Sequence, residues 1–380
     1  MNKSIGILGG GQLGMMLYKA GIQYDIDLHF LDNIKEGPVS AVTDNYSIGD
    51  ITDEKDVLKF GQAHEVISIE IERVNVAALK QLSEEGIKVF PQPEIVEIIQ
   101  DKGLQKQFYN DNNLPTSDFK IYDNISSLVF DLDGKKVEFP IVQKMRKDGY
   151  DGRGVQILRS EADLDKAFPY NFISETCIDI EKELAVITCT DINGNIVMYD
   201  PVEMVFHPEM NILLYQLAPA SISKAVLHDV QEIAMRTTKA FGIVGLLAIE
   251  LFLTKSGEIL INEVAPRPHN SGHHTIEASS TSQYENQIRA ISGMPLGETK
   301  TRAPSLLMNV LGAEGYTGPV VYEGVEEVES LDGVHLHIYG KTSTKPFRKM
   351  GHINILSEDP QELIEKYNNI QKTLRVIAKK

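Results

Sequence analysis

The sequence predicts a chain of α/β and α+β class, built as three successive units. Three observations carry this reading. Over the first hundred residues, short apolar runs (SIGILGG, DLHFLD, EVISIEI) alternate with helical periodicity, as βαβ units and a parallel sheet require. Strand patterns dominate the middle, and the last eighty residues form a smaller β-rich stretch. At 380 residues the chain is long enough for two or three domains with proper cores.

Taken in order, SIGILGG leads into a helix over residues 12–21. Gly9, Gly11 and Gly14 spell G-x-G-x-x-G at that turn, and Asp32 ends the next apolar run, which is how a dinucleotide-binding domain opens. KVFPQPE closes the first unit, its prolines marking a boundary near residue 100. Helical periodicity spans 95–112, and LPTSDF enters the second unit as a loop. FPIVQKMR, VQILRS, FISETCI, KELAVITCTD and NIVMYDPVEM read as strands, with Asn193-Gly194 a hairpin signal. A helix follows over 223–241. GLLAIELFLT and EILINEVAPR pair across the KSGE turn, and a helix covers 282–291. SLLMNVLG, VHLHIYGK and HINILS are the last unit's strands, and a helix over 360–378 ends it. The domain limits expected from this are 1–100, 101–297 and 298–380.

Net charge is −17, from 37 basic and 54 acidic residues, so phosphate backbones feel no long-range attraction and nucleic acid is not the expected partner. No apolar run approaches the roughly 20 residues of a membrane span, and the first apolar stretch breaks into glycines too early for a signal peptide. Two cysteines, Cys177 and Cys189, are too few for a disulfide framework or a zinc cluster. A cytoplasmic protein with reduced thiols is expected.

Five constellations carry candidate chemistry. Glu250 and Glu263 interrupt apolar strands joined by a short turn; with Asn262 they supply hard oxygen ligands suited to Mg²⁺ shared with nucleotide phosphates. The alternative is a pair of solvated edge glutamates. In KMRKDGYDGRG, Lys144 ends a strand and Gly149, Gly152 and Gly154 make a loop carrying Arg153, a composition that folds over phosphates, or a plain hairpin turn. APRPHNSGHHT concentrates Arg267, His269, Asn270, Ser271, His273 and His274 directly after Glu263; capping Ser and Asn in a polar loop would look the same. In SIEIERV, Glu70 and Glu72 fall on one face at the C-terminal end of a strand, where open α/β sheets hold ligands, unless that end is merely solvated. Finally, KTSTKPFRKMGH gathers Lys345, Arg348 and Lys349 on an acidic chain, fitting an anion or an ordinary surface loop.

The order GGGQLGMML, SIEIERV, QDKGLQKQ, GYDGRG, ISETCI, INEVAPRPHNSGHHT, KMGHINIL resembles, over essentially the whole chain, the ATP-grasp ligases, and among them the N5-carboxyaminoimidazole ribonucleotide synthetases. The resemblance implies an ATP-grasp fold with a Rossmann-like pre-ATP-grasp domain, a lid at about 115–180 and a β-rich C-terminal domain. It implies ATP- and bicarbonate-dependent carboxylation of 5-aminoimidazole ribonucleotide through carboxyphosphate, in purine biosynthesis. ATP is the co-substrate, Mg²⁺ (or Mn²⁺) the metal, and a homodimer the expected assembly.

By position, the resemblance assigns ATP to Lys102, Lys144, the loop Gly149, Tyr150, Asp151, Gly152, Arg153 and Gly154, the hinge Glu175, Thr176, Cys177 and Ile178, and to Glu183, His207, Asn262 and Glu263. Glu250 and Glu263 would ligate the metal. Tyr150, Arg153, Arg267, His269 and Asn270, with Glu72 or Glu70, would handle bicarbonate and carboxyphosphate, and His274 or a glutamate the amine proton. Gly11, Gln12, Leu13, Glu70, Lys341, Arg348 and Lys349 would bind the ribonucleotide. Two positions depart from the family: Lys102 stands where Arg is usual, keeping the charge without the bidentate fork, and His274 stands where Trp is frequent. The alternatives are an NAD-dependent oxidoreductase, which leaves Glu250, Asn262, Glu263 and GYDGRG unused, and other ATP-grasp enzymes such as a glycinamide ribonucleotide transformylase.

Overall fold

The computed structural model describes residues 4–147, 149, 154–206 and 213–379. Strands β1 (Ser4–Leu8), β2 (Asp27–Asp32), β3 (Tyr46–Ile48), β4 (Val66–Ile69) and β5 (Lys88–Phe90) form a parallel sheet in the order β3-β2-β1-β4-β5. Helices α1 (Gln12–Ile22), α2 (Glu54–Gly61) and α3 (Val76–Glu84) make its crossovers. The strand order reverses between β1 and β4, so their carboxyl ends open the crevice where such sheets bind ligands.

Helical periodicity over 95–112 resolves into two helices, α4 (Pro93–Gln100) and α5 (Lys102–Asp111). Asp101 breaks the run: extended at φ −120°, it caps α5 by accepting from Gly103 N. A four-stranded sheet follows, in the order β6-β9-β7-β8, from β6 (Phe119–Asn124), β7 (Ile141–Met145), β8 (Val155–Leu158) and β9 (Tyr170–Thr176), with α6 (Ile125–Asp133) alongside.

The third sheet is the largest. β10 (Ile180–Thr190), β12 (Val202–Phe206), β13 (Leu213–Ala218), β14 (Gly245–Thr254) and β15 (Ile259–Ala265) form its first part, with β11 (Ile196–Met198) pairing β10. One face is covered by α7 (Lys224–Phe241) through Leu184, Val186, Ile249, Leu251 and Ile261. The sheet does not stop there. β13 pairs with β16 (Ser305–Leu311), which continues into β20 (Lys349–Leu356) and β18 (Val334–Ile338), so the C-terminal strands extend the same ladder.

Around them lie α8 (Thr275–Ala278), α9 (Gln283–Ser292), α10 (Val325–Glu329), α11 (Pro360–Thr373), and the small sheet β17 (Gly318–Glu323), β19 (Ser343–Thr344) and β21 (Arg375–Ala378). The terminal helix therefore ends at Thr373, where the chain becomes a strand pairing with β17. Helix α9 welds the units together, because Tyr284, Ile288 and Ile291 share a core with Ile5, Leu17 and Phe30.

Candidate active site

The site begins with strand alternation. The α7 face of β14 and β15 is apolar, which sends Glu250 to the opposite face, in register with Glu263. Strict alternation would turn Asn262 away from Glu263, but the register slips between Glu250 and Leu251. This bulge lets two consecutive residues serve one face: Asn262 donates to Glu250 Oε2 at 3.4 Å, and Lys102 donates to Glu263 Oε2. Burial and the neighbouring Glu263 carboxylate push the Glu250 carboxyl up, whereas Lys102 holds Glu263 below the ordinary range. Two adjacent carboxylates whose protons compete form a donor set that fits a divalent cation. Among the described residues no group of three or more His, Cys, Asp or Glu gathers around one point. The remaining ligands would come from phosphate or water.

Lysines face this pair from the four-stranded sheet and from α5. Lys144, at the end of β7, donates to Asn262 Oδ1 at 2.8 Å and lies 3.1 Å from Glu175 Oε1. Glu175 is thus engaged through its side chain and is buried, while Thr176 ends β9 and Cys177 is a half-buried free thiol before β10, near Ile178. Glu183 lies two residues from Ala185, the β10 partner of Glu250, and so shares its face. Burial, only partly offset by Lys144, pushes the Glu183 carboxyl up to about 7. An acid raised in the folded state binds more protons there than when unfolded, so stability falls as pH rises from about 4.5 to about 7 and then levels. A Glu183→Gln variant should therefore match the wild type near pH 4.5 and exceed it by about 3 kcal/mol at pH 8, read as urea-unfolding free energies.

The second half of the site joins two sheets. β4 ends at Ile69, so Glu70 and Glu72 lie beyond the strand rather than on one of its faces, and they part company. Glu72 takes a bidentate fork from Arg267, at 2.5 Å from Nε and 2.8 Å from Nη2. Burial would raise its carboxyl, but the guanidinium outweighs this and holds it low. His269 Nε2 reaches Glu250 Oε1 at 3.4 Å while Nδ1 meets Ser271 Oγ at 2.9 Å, and burial keeps the ring neutral with a pKa of about 4. Asn270 opens the short turn after it. The positive charge of Lys349 bears on His269 and His273, which brings the C-terminal basic cluster up to this loop. Lys341 donates to the Lys349 carbonyl, and Arg348 to the Ser343 carbonyl.

Three residues have partners that the sequence did not indicate. Glu70 is buried and accepts from Gly11 N (3.0 Å) and Gly14 N (2.9 Å). The N-terminus of α1 therefore already holds a carboxylate, and the Gly11 N–H is spent on it; Gln12 and Leu13 follow in the first turn. The glycines serve that contact. Gly9 has φ +108°, and a Cβ there would lie 2.5 Å from Glu70 Cγ. Asp32, at the end of β2, accepts from Gly10 N at 2.7 Å. His274 is buried against Gln216 and the Ser271 carbonyl, with Asp200 and Glu277 as its charged neighbours, and burial lowers it to about 4. Tyr150, Asp151, Gly152, Arg153 and His207 lie outside the described residues, and Gly149 and Gly154 flank the first four.

Sequence reasoning missed two residues. Arg146 forks onto Asp101 through Nε (2.9 Å) and Nη2 (2.7 Å), clamping the end of β7 to the start of α5; its spacing of two from Lys144 was the available signal. Lys106 is buried beside Glu175, and burial lowers it to about 8. Nothing local distinguishes it from a solvated helix lysine.

Comparisons with known proteins agree with this architecture. The chain matches the ribonucleotide synthetase preATP-grasp domain over residues 1–100, the ATP-grasp domain over 107–284 and the phosphoribosylaminoimidazole carboxylase C-terminal domain over 305–366. It is 32% identical to N5-carboxyaminoimidazole ribonucleotide synthase of Bacillus subtilis strain 168 over 96% of this chain and 94% of that protein. The crystal structure of N5-carboxyaminoimidazole ribonucleotide synthetase from Thermotoga maritima superposes with a TM-score of 0.90 at 39% identity, covering 99% and 100% of the two chains. The Aspergillus clavatus enzyme in complex with ADP and 5-aminoimidazole ribonucleotide superposes at 0.88 with 26% identity, covering 98% of each chain.

Proposed function

The chain belongs to the N5-carboxyaminoimidazole ribonucleotide synthase family of ATP-grasp ligases, and from that premise we propose how its residues divide the reaction. The enzyme carboxylates 5-aminoimidazole ribonucleotide with ATP and bicarbonate. A bicarbonate oxygen attacks the γ-phosphorus and ADP leaves. The resulting carboxyphosphate breaks into phosphate and CO₂, and the amine nitrogen bonds the CO₂ carbon and loses its proton.

Lys144, Lys102 and Asn262 orient the ATP phosphates, and the stretch Gly149 to Gly154 is assigned to the same phosphates from its sequence. Glu175 to Ile178 form the adenine hinge, and Glu183 takes the ribose hydroxyls. Glu250 and Glu263 hold Mg²⁺, with Mn²⁺ as the alternative, which when bound offsets phosphate charge. Arg267, His269 and Asn270 bind bicarbonate and carboxyphosphate as fixed donors in a water-poor pocket. His269, neutral at pH 7, donates a hydrogen bond without adding charge. Glu72 orients the Arg267 fork. Lys341, Arg348 and Lys349 hold the ribonucleotide phosphate. The enzyme is cytoplasmic and homodimeric in this reading.

The observation that carries it is the 3.4 Å approach of His269 to Glu250, which sets the donor loop against the metal-binding pair, where phosphoryl transfer to bicarbonate requires both. The test is ADP release with ATP, bicarbonate and aminoimidazole ribonucleotide. Turnover should need bicarbonate and rise with the ribonucleotide; turnover indifferent to both would overturn the assignment.

A further inference from the structure

Behind the phosphate-facing lysine lies a second lysine that no ligand can reach. Lys106, on α5, is 2% exposed. Its Nζ donates to Thr116 Oγ1 at 2.6 Å and Ser117 Oγ at 2.8 Å, and lies 3.3 Å from Glu175 Oε2. Ser117 also donates to that carboxylate at 2.8 Å. The other Glu175 oxygen is 3.1 Å from Lys144 Nζ. One buried carboxylate therefore sits between two ammonium groups, leaving the triad with a charge of +1.

A 1:1 buried ion pair has no net charge to offer an anion. Were Glu175 paired with Lys144 alone, its charge would cancel the lysine at short range in a poorly screened setting. We propose that Lys106 is a positioning residue which neutralises Glu175, so that Lys144 presents an uncompensated positive charge to the ATP phosphates. The inference rests on the reading of Lys144 as a phosphate ligand.

The experiment compares Lys106→Met, Lys144→Met and the double variant Lys106→Met/Glu175→Gln, measuring KM for Mg·ATP, kcat and direct Mg·ATP binding by calorimetry, with melting curves as a folding control. Lys106→Met should raise KM and Kd for Mg·ATP about tenfold, with a smaller change in kcat. The double variant, which again leaves Lys144 at +1, should recover most of that affinity, a coupling that a merely structural lysine would not show. An unchanged Lys106→Met, or a double variant weaker than it, overturns the proposal. If Lys106→Met does not fold alone, the double variant should bind Mg·ATP at least tenfold more tightly than Lys144→Met, and equal affinity overturns the proposal. Should Lys144→Met bind Mg·ATP like the wild type, the phosphate-ligand reading fails instead.

Discussion

A Glu263→Gln variant loses ATP turnover by about 10²–10³-fold while keeping its fold. Glu263 is the member of the carboxylate pair that stays charged, because Lys102 stands against it. Its charge, together with burial, is what pushes Glu250 up. Replacing it with an amide returns Glu250 toward the ordinary carboxylate range, leaves that one carboxylate alone to hold a cation, and takes the partner from Lys102. Turnover should then require far higher Mg²⁺, read as ADP release across a Mg²⁺ titration, while the half-exposed position leaves the melting temperature nearly unmoved. Wild-type Mg²⁺ dependence in this variant would remove Glu263 from the metal site.

The second large effect is expected from Arg267→Lys. The native fork makes two short bonds to the two oxygens of Glu72, and an ammonium can supply the charge but not the planar pair. Glu72 is then left partly unpaired in a buried setting, and the donor array for bicarbonate tilts. Bicarbonate-dependent turnover should fall about 10²-fold or more, with KM for ATP changed only a few-fold, because Lys144 and Asn262 are untouched. Initial rates with bicarbonate and ATP varied separately would check this; a proportionate rise in both KM values would point to global damage instead.

The parts of the site that lie along one strand or across one short turn were legible in the sequence. Period-2 alternation and the KSGE turn bring Glu250 and Glu263 together without any tertiary knowledge. Lys144 was legible too, because it closes an apolar strand just before a glycine-rich loop. What alternation could not supply is the bulge that turns Asn262 to the same face. Nor could it show that Glu70 and Glu72, two residues apart, serve different masters, since the divergence begins where β4 ends. Lys106 and Arg146 acquire meaning only from partners on other elements, Glu175 some 69 positions away and Asp101 some 45. The break of the 95–112 helix at Asp101 had a local cause, a capping carboxylate, but one apolar stripe running through both halves masked it.

The G-x-G-x-x-G turn is the clearest case of a motif whose geometry survives while its use changes. Its backbone donors point where an anion belongs, and the anion is the protein's own Glu70. That substitution ties α1 to the end of β4.

The continuity of the large sheet from β13 into β16 has a mechanical consequence. The segment after residue 298 looks like a detachable module in sequence, yet among the described residues its strands continue the hydrogen-bonded ladder of the strands that carry Glu183 and Glu250. A displacement at Lys341 or Lys349 is transmitted along a hydrogen-bonded ladder rather than across a loose joint. Cutting the connection would liberate no free-standing domain. It would bare two strand edges, each a template for unwanted pairing, in the interior of what the intact chain keeps as one stiff plate.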